Sequence, residues 1–320
     1  MKIKIVFLDR ASAPEHIDIA RPNIDCEWVD YPSSSEAQVV ERAHDAQIIV
    51  TNKVPLSAAT ISRLPRLQHI AVYATGFNII DIQTCLDRGI SVSNTPDYAR
   101  DSVPEHALAM ILALRRNLFH YHKSVRDGFW QSSAFFHGYS QQTFDLRGAQ
   151  LGIFGGGCLG VSMARLGKAL GMKVVFADRK HTQASGRGSY QPFDEVIRNS
   201  DVLSLHCPLT KDTENLIAMR EFTQMKPQAL LINTARGGIV NEVDLVAALN
   251  TDLIAGAGFD VASVEPITAD NPLLSLVDRS NFILTPHVAW SSDAALKKQA
   301  DILIQNIEGF LQGEKINQVT

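Results

Sequence analysis

The chain is 320 residues long, with 45% apolar and 20% charged residues and a formal net charge of −4 at pH 7. That length suits two domains, each able to bury its own core, and the composition is that of an ordinary globular protein. The slightly acidic balance gives no electrostatic case for nucleic acid or an anionic membrane as a main partner, and no apolar run approaches a membrane span.

Met1 to Asp9 does not read as an export signal, and Lys2–Leu8 reads as a strand. Ser35–Ala46 has helical spacing and Gln47–Val50 returns to strand. The alternation continues with a helix over Ser57–Leu64, a strand over His69–Ala74, a helix over Asp81–Arg88 stopped by Gly89, and a strand over Ile90–Ser93. A small open α/β sheet is the expectation. From Asp101 the character changes: Ser102-Val103-Pro104-Glu105 is a helix start, and Ala107, Met110, Ile111 and Leu114 continue one apolar face. This predicts one long helix running toward Trp130 and bridging two domains. A polar, aromatic loop follows over Gln131–Arg147, in which Trp130, Phe135, Phe136 and Tyr139 are expected to pack together.

Leu151–Gly160 then reads as a strand, a glycine turn and a helix start. Gly155, Gly157 and Gly160 fit a G-x-G-x-x-G spacing, with Gly156 leaving the register open. Gly155 would permit the tight turn, Gly157 would let a pyrophosphate approach the backbone, and Gly160 would let helix and strand pack closely. The helix begins near Cys158 and Leu159, so its free N–H groups face the phosphate position. Lys168 and Gly171 end it, and Lys173–Asp178 reads as the next buried strand. Asp178 stands where an acidic residue binds the adenosine ribose hydroxyls, which favours NAD; Arg179 and Lys180 would attract a 2′-phosphate, which keeps NADP as the second choice.

Further strands over Asp201–His206, Ala229–Thr234, Ala255–Asp260 and Phe282–Thr285 alternate with helices, predicting a doubly wound parallel sheet. Ser291–Leu311 is a final amphipathic helix with Leu296, Ala300, Leu303, Ile304 and Ile307 on one side. If the long helix leaves the first domain and the last helix returns to it, that domain is discontinuous. It would then comprise residues 1–100 and 292–320 around a dinucleotide domain at 101–291, with a substrate cleft between them.

Ligands of such sheets bind at the carboxyl ends of the strands. There the chain places His206-Cys207-Pro208, Thr234-Ala235-Arg236, Asp260, Glu265 and His287. A hydride moved between a nicotinamide and a carbonyl carbon needs a proton donor for the oxygen, for which His287 is the candidate. Glu265 suits the far ring nitrogen, where a carboxylate favours imidazolium and fixes the tautomer. Arg236, on a glycine-rich turn, offers a planar fork of donors to an anionic 2-oxo acid. His206 is read as lining the adenine side. His120 and His122, two apart on a helix, point to different faces, so no metal site is expected. Cys26, Cys85, Cys158 and Cys207 have no paired spacing, which suggests reduced thiols and a cytoplasmic location.

Taken in order, Ala74-Thr75-Gly76-Phe77-Asn78-Ile79-Ile80-Asp81, the glycine stretch with Asp178, His206–Thr210, Asn233–Gly238, Glu265-Pro266 and Thr285-Pro286-His287 resemble the D-isomer-specific 2-hydroxyacid dehydrogenases over nearly the whole chain. The resemblance implies two doubly wound domains, one a Rossmann NAD-binding domain and the other a flavodoxin-like substrate domain. It implies that Arg236, Glu265 and His287 are the catalytic set and that amides of Ala74, Thr75 and Gly76 hold the substrate carboxylate. Cofactor contacts would come from Gly155, Gly157, Cys158, Leu159, Gly160, Asp178, Arg179, His206, Cys207, Pro208, Thr234, Ala235, Asp260 and His287. A homodimer through the cofactor domain is also implied, with the aromatic segment taking part. Ala74–Asn78 and His287–Trp290 point to the branch that interconverts hydroxypyruvate and D-glycerate, with glyoxylate as a further substrate. Asn241, Pro104 and Cys158 depart from residues frequent in the family. Two rivals share the fold: a D-3-phosphoglycerate dehydrogenase-like enzyme, and a dinucleotide-sensing interaction protein similar to transcriptional co-repressors.

Overall fold

A computed structural model describes residues 2–182, 186 and 188–320. The chain divides into two compact units, Met1–Ala99 with Ser291–Thr320, and Arg100–Trp290. The first contains β1 (Ile3–Phe7), β2 (Cys26–Asp30), α1 (Glu36–Ala43), β3 (Ile48–Thr51), α2 (Ala58–Ser62), β4 (His69–Val72), α3 (Ile82–Asp87) and β5 (Ser91–Ser93). These strands form an all-parallel sheet in the order β2-β1-β3-β4-β5, which is the flavodoxin-like order. Every residue of β3 and β4 is buried, as parallel strands covered on both faces require. Ser57 accepts from the Thr60 N–H and Asp81 from the Thr84 N–H, so the starts of α2 and α3 are capped by their own sequence. Strand β2 was not among the expected elements. It is an edge strand whose Cys-Glu-Trp-Val-Asp run has no fully buried residue, so it lacks the apolar pattern that marks β3 and β4.

The second unit runs through α4 (Ser102–Arg115), α5 (Leu118–Arg126), β6 (Gln150–Phe154), α6 (Cys158–Ala169), β7 (Lys173–Ala177), β8 (Tyr190–Gln191), α7 (Phe193–Asn199), β9 (Val202–Leu205), α8 (Met219–Phe222), β10 (Leu230–Asn233), α9 (Glu242–Asn250), β11 (Gly256–Phe259) and β12 (Phe282–Leu284). Its seven parallel strands are ordered β12-β11-β10-β9-β6-β7-β8. From β8 inward this is the Rossmann order with one strand added, and the winding reverses between β6 and β9.

Two expectations are corrected here. The single long helix is two helices, α4 and α5, both inside the second unit. Asn117 breaks it by adopting a left-handed conformation at φ +50°, with its side-chain amide donating to the Gln142 carbonyl at 2.7 Å. Asparagine tolerates that region better than other side chains with a Cβ, which makes it a natural helix stop. The aromatic segment, expected to pack, is exposed instead: Trp130 at 54%, Phe135 at 71%, Phe136 at 90% and Tyr139 at 67%.

The last helix, α10 (Asp293–Leu311), belongs to the first unit and is capped by Ser292 accepting from Ala295 N–H. It buries Leu296, Ala300, Leu303, Ile304 and Ile307 together with Gln299 and Asn306. Phe310 stacks on the ring of His69 at 4.5 Å between centroids. Among the described residues no helix is long and apolar enough to cross a membrane, and no cluster of three His, Cys, Asp or Glu side chains could hold a metal ion.

His69 lies inside β4 with its two ring nitrogens 2.7 Å from Ser91 Oγ and 3.0 Å from Ser93 Oγ. Burial pushes its pKa down to about 4, against a hydrogen bond donated to the Ser91 backbone that works the other way. The unfolded chain therefore binds a proton that the native state refuses between the ordinary histidine value and about 4. This stabilisation is complete above about pH 6.5 and is lost as pH falls, by about 1.4 kcal/mol per pH unit. Denaturant titrations at about pH 7 and about pH 5 should show a smaller acid loss for His69→Asn than for the parent chain. Equal losses would remove His69 as the cause.

Candidate active site

The turn after β6 resolves the open register of its glycines. Gly155 has φ +107°, and a Cβ there would stand 2.5 Å from the His206 carbonyl oxygen at the end of β9. At Gly160 a Cβ would lie 1.9 Å from the Gly155 oxygen, so helix α6 approaches its own turn too closely for any side chain. Around Gly157, the N-cap of α6, a Cβ would meet nothing within 4 Å. A tight turn, an open approach and a close helix contact are the three features a pyrophosphate cradle needs in that order. Gly156 has another partner, since a Cβ there would lie 1.9 Å from the Tyr190 hydroxyl, whose ring stacks on Phe176. The residues thus fit a dinucleotide by the shape of their backbone.

Asp178 closes β7 in a buried position, and its amide donates to the Gln191 carbonyl at 2.9 Å. Lys180, which follows it in sequence, is engaged elsewhere: its ammonium is 3.0 Å from Glu221 Oε1, donates to the Leu216 carbonyl at 3.2 Å and lies 5.4 Å from the Phe193 ring centroid. Arg179 is exposed.

At the carboxyl ends of β9 and β10, two buried polar atoms have no partner among the described residues, His206 Nδ1 and Thr234 Oγ1. Such atoms are costly unless a bound group or water reaches them. Burial pushes His206 down to about 4, so its ring is neutral near pH 7. Burial likewise pushes the Cys207 thiol up to about 11, leaving it protonated.

Arg236 owes its place to Asn233, whose side chain accepts from Ala235 N–H at 3.1 Å and donates to the Arg236 carbonyl at 2.9 Å. This local pair folds the chain into a turn just past β10. Gly237 then passes so close to the turn after β11 that a Cβ would lie 1.9 Å from the Ala262 oxygen. The approach brings Arg236 and Glu265 within electrostatic reach of each other. Glu265 uses Oε1 to accept its own turn's Ala262 N–H at 3.0 Å and holds Oε2 2.7 Å from His287 Nδ1. Burial raises its pKa, but the hydrogen bonds from His287 and Ala262 and the charges of His287 and Arg236 outweigh it, so the group is held below its ordinary value. An ionised Glu265 requires Nδ1 of His287 to carry the hydrogen, which leaves Nε2 as the nitrogen able to take up or give a proton. The structure therefore brings Arg236, Glu265 and His287 together in one unit.

In the first unit, the loop after β4 has its carbonyls turned into the fold. Tyr73 O accepts from Gln299 Nε2 at 2.8 Å, Ala74 O from Thr95 N–H at 3.0 Å, and Thr75 O from Asn94 Nδ2 at 2.7 Å. The N–H groups of Ala74, Thr75 and Gly76 donate to no backbone carbonyl among the described residues, as a loop that offers amides to an anion requires.

A Rossmann sheet with a pyrophosphate cradle and a carboxylate-paired histidine beside an arginine defines the class of dinucleotide-dependent oxidoreductases that act on carbonyl acids. The chain belongs to the D-isomer-specific 2-hydroxyacid dehydrogenase family: the model for that family's NAD-binding domain matches residues 108–289. It is 41% identical to glycerate dehydrogenase of Methylorubrum extorquens over all of this chain and 99% of that protein. It is 36% identical to hydroxypyruvate reductase of Blautia hydrogenotrophica, covering 88% of this chain and 87% of the relative. Its fold matches the crystal structure of an NADPH-dependent glyoxylate/hydroxypyruvate reductase of Sinorhizobium meliloti in complex with NADP and malonate. The TM-score is 0.82 and the identity 28%, over 100% of this chain and 97% of that one. The protein is thus an oxidoreductase that interconverts 2-oxo acids and D-2-hydroxy acids with NAD or NADP.

The glycine geometry separates folding from binding. Gly157→Ala should leave the melting temperature within a few degrees of the parent and weaken NADH binding by on the order of tenfold or more, because the new methyl enters the phosphate approach. Gly160→Ala should instead cost about 1–3 kcal/mol of stability through backbone overlap. Thermal melts and NADH fluorescence titrations read the two effects apart; a destabilised Gly157→Ala chain would contradict this division.

Proposed function

We propose that the physiological reaction is reduction of hydroxypyruvate to D-glycerate with NADH, with glyoxylate as a secondary substrate. The observation that carries the chemistry is the 2.7 Å contact between His287 Nδ1 and Glu265 Oε2 beside the Arg236 turn. The choice of hydroxypyruvate is supported by the names of the glycerate dehydrogenase and hydroxypyruvate reductase relatives. When bound, the nicotinamide supplies the hydride for the carbonyl carbon. His287 Nε2 gives its proton to the carbonyl oxygen as that oxygen gains charge, and Glu265 stabilises the imidazolium before transfer. Arg236 holds the substrate carboxylate and polarises the adjoining carbonyl with its planar fork. The amides of Ala74, Thr75 and Gly76 supply further donors to the carboxylate.

Gly155, Gly157, Cys158, Leu159 and Gly160 would receive the pyrophosphate, Asp178 and Arg179 the adenosine ribose, and His206, Cys207 and Pro208 the adenine side. Thr234, Ala235 and Asp260 would lie along the nicotinamide half, next to His287. NAD is favoured over NADP because Asp178 repels a 2′-phosphate and because Lys180, held by Glu221, does not offset it. A dinucleotide sensor would not need the Glu265–His287 pair, which favours the enzyme reading. Four cysteines without paired spacing in the sequence suit a reducing, cytoplasmic location.

The test is loss of NADH absorbance with hydroxypyruvate, glyoxylate, pyruvate and 3-phosphohydroxypyruvate, each repeated with NADPH. Hydroxypyruvate with NADH should give the highest kcat/KM. His287→Ala should reduce turnover by on the order of a hundredfold or more while NADH binding stays within a few-fold. A preference for 3-phosphohydroxypyruvate or NADPH would overturn the substrate or cofactor assignment respectively.

We further propose a homodimer that covers the exposed aromatic segment around Trp130, Phe135, Phe136 and Tyr139. Contiguous exposed aromatics of this kind mark an association surface. Sedimentation should give a dimer for the parent and a smaller species for Trp130→Ser/Phe136→Ser; a monomeric parent would refute it.

A further inference from the structure

His287 sits in a turn outside the strands and helices, and its own backbone is left-handed at φ +55°. A histidine in that region is sterically disfavoured, so the surrounding structure must impose it. The N–H of His287 donates to the Thr285 carbonyl at 3.0 Å and its carbonyl accepts from Trp290 Nε1 at 2.7 Å, while the residues beside it are held by Asp260, only 1% exposed, at the end of β11. Its Oδ1 accepts the Val288 N–H and its Oδ2 the Ala289 N–H, each at 2.9 Å, gripping the two residues that follow His287. The Thr285 hydroxyl meets the same Oδ1 at 2.5 Å, just before the turn. A hydroxyl has one hydrogen, and the carboxylate, which can only accept, takes it. The Phe259 carbonyl lies a full 3.5 Å from the same hydroxyl and competes weakly for that hydrogen, so Thr285 Oγ1 is an acceptor toward His106 Nε2 on α4, 3.0 Å away. That assigns the hydrogen of His106 to Nε2.

We propose that Thr285 and His106 are positioning residues for the proton transfer. Through Asp260 they hold the turn that aims the His287 ring at Glu265. The inference rests on the reading of His287 as proton donor. The direction of each bond is dictated in sequence: His106 donates to Thr285, Thr285 donates to Asp260, and Asp260 accepts from the backbone around His287. Without the hydroxyl, Oδ1 loses a short partner inside the protein, and the carboxylate relaxes toward whatever donor remains. A displacement of a few tenths of an ångström at the turn is felt at the reacting nitrogen, because proton transfer requires alignment within hydrogen-bond distance.

The experiment compares Thr285→Val, which keeps the shape and removes the hydroxyl, with Thr285→Ser, which keeps the hydroxyl. It pairs His106→Leu with His106→Gln, since glutamine still offers an N–H donor. Thr285→Val should lower kcat for hydroxypyruvate reduction by on the order of tenfold with KM for NADH within twofold, and Thr285→Ser should recover at least half of the parent kcat. His106→Leu should lower kcat several-fold, with His106→Gln closer to the parent, and the double variant Thr285→Val/His106→Leu should lose no more than Thr285→Val alone, as members of one chain do. Parent-like kcat in both Thr285→Val and His106→Leu overturns the proposal. So does a loss in Thr285→Val that appears wholly as weaker NADH binding, which would make Thr285 a cofactor contact. Should Thr285→Val fail to fold, the His106 pair decides by itself. His287→Ala is assayed alongside: if it retains full turnover, the proton-donor reading fails, whereas an inactive His287→Ala with parent-like Thr285→Val and His106→Leu refutes the positioning role alone.

Discussion

The carboxyl edge of the seven-stranded sheet depends on backbone packed against backbone with no room for a Cβ atom. Gly155 lies against the chain after β9, Gly160 against Gly155, and Gly237 against the turn after β11. Each contact converts a pair of loops into one rigid ridge. Parallel strands send their carboxyl ends to the same edge, so these three contacts fall together there. The third contact brings Arg236 within electrostatic reach of Glu265. Arg236, Glu265 and His287 are separated widely in sequence, but each stands only a few residues from a strand end that the sheet has already placed.

Charge at this edge is sorted by environment. His206 and His287 both follow strands, yet the first is buried beside a serine and driven neutral, while the second is held against a carboxylate. A neutral ring suits a wall against which a ligand packs, and a ring paired with an anion suits one that must carry a proton. Glu265 stays ionised in spite of its burial because four favourable influences, from His287, Ala262 and Arg236, act on one group. Glu265→Ala would leave the Ala262 amide and the His287 Nδ1 without their acceptor at once.

Much of this was legible in the sequence, for identifiable reasons. Strands such as β3, β4 and β9 announce themselves through continuous apolar runs, and the helix starts at Ser57 and Asp81 through caps that act within four residues. Edge strands β2 and β8 have neither signal, since one face is wet and β8 is two residues long. The break after α4 rests on one asparagine, whose left-handed conformation is stabilised by the distant Gln142 carbonyl. Arg236, Glu265 and His287 were candidates because the chemistry of their side chains is specific. Thr285 and His106 were not, because their roles come from a hydroxyl and a ring brought together across 179 residues. The charges after Asp178 show the same limit: adjacency made Lys180 a candidate for a phosphate, whereas its partner Glu221 lies on a helix that sequence order does not suggest.

The discontinuous first unit has a physical reason of its own. Its first segment leaves the tips of β4 and β5 with carbonyls that no neighbouring strand can satisfy. The returning helix α10 supplies Gln299 for Tyr73 O and Asn306 for Asn94 O, both from buried positions. The tail beyond it adds Val319 N–H to Val92 O at 2.8 Å, and the Ser93–Gln318 bridge covers the free edge of β5. Unsatisfied buried carbonyls cost about 1–3 kcal/mol each, a large share of the marginal stability of a domain of this size. Asn94 in turn fixes Thr75 O, so the same helix that completes the core also sets the loop after β4. Stability of the first unit and the shape of the loop after β4 therefore depend on one segment, and a chain ending at Ala99 would lack both.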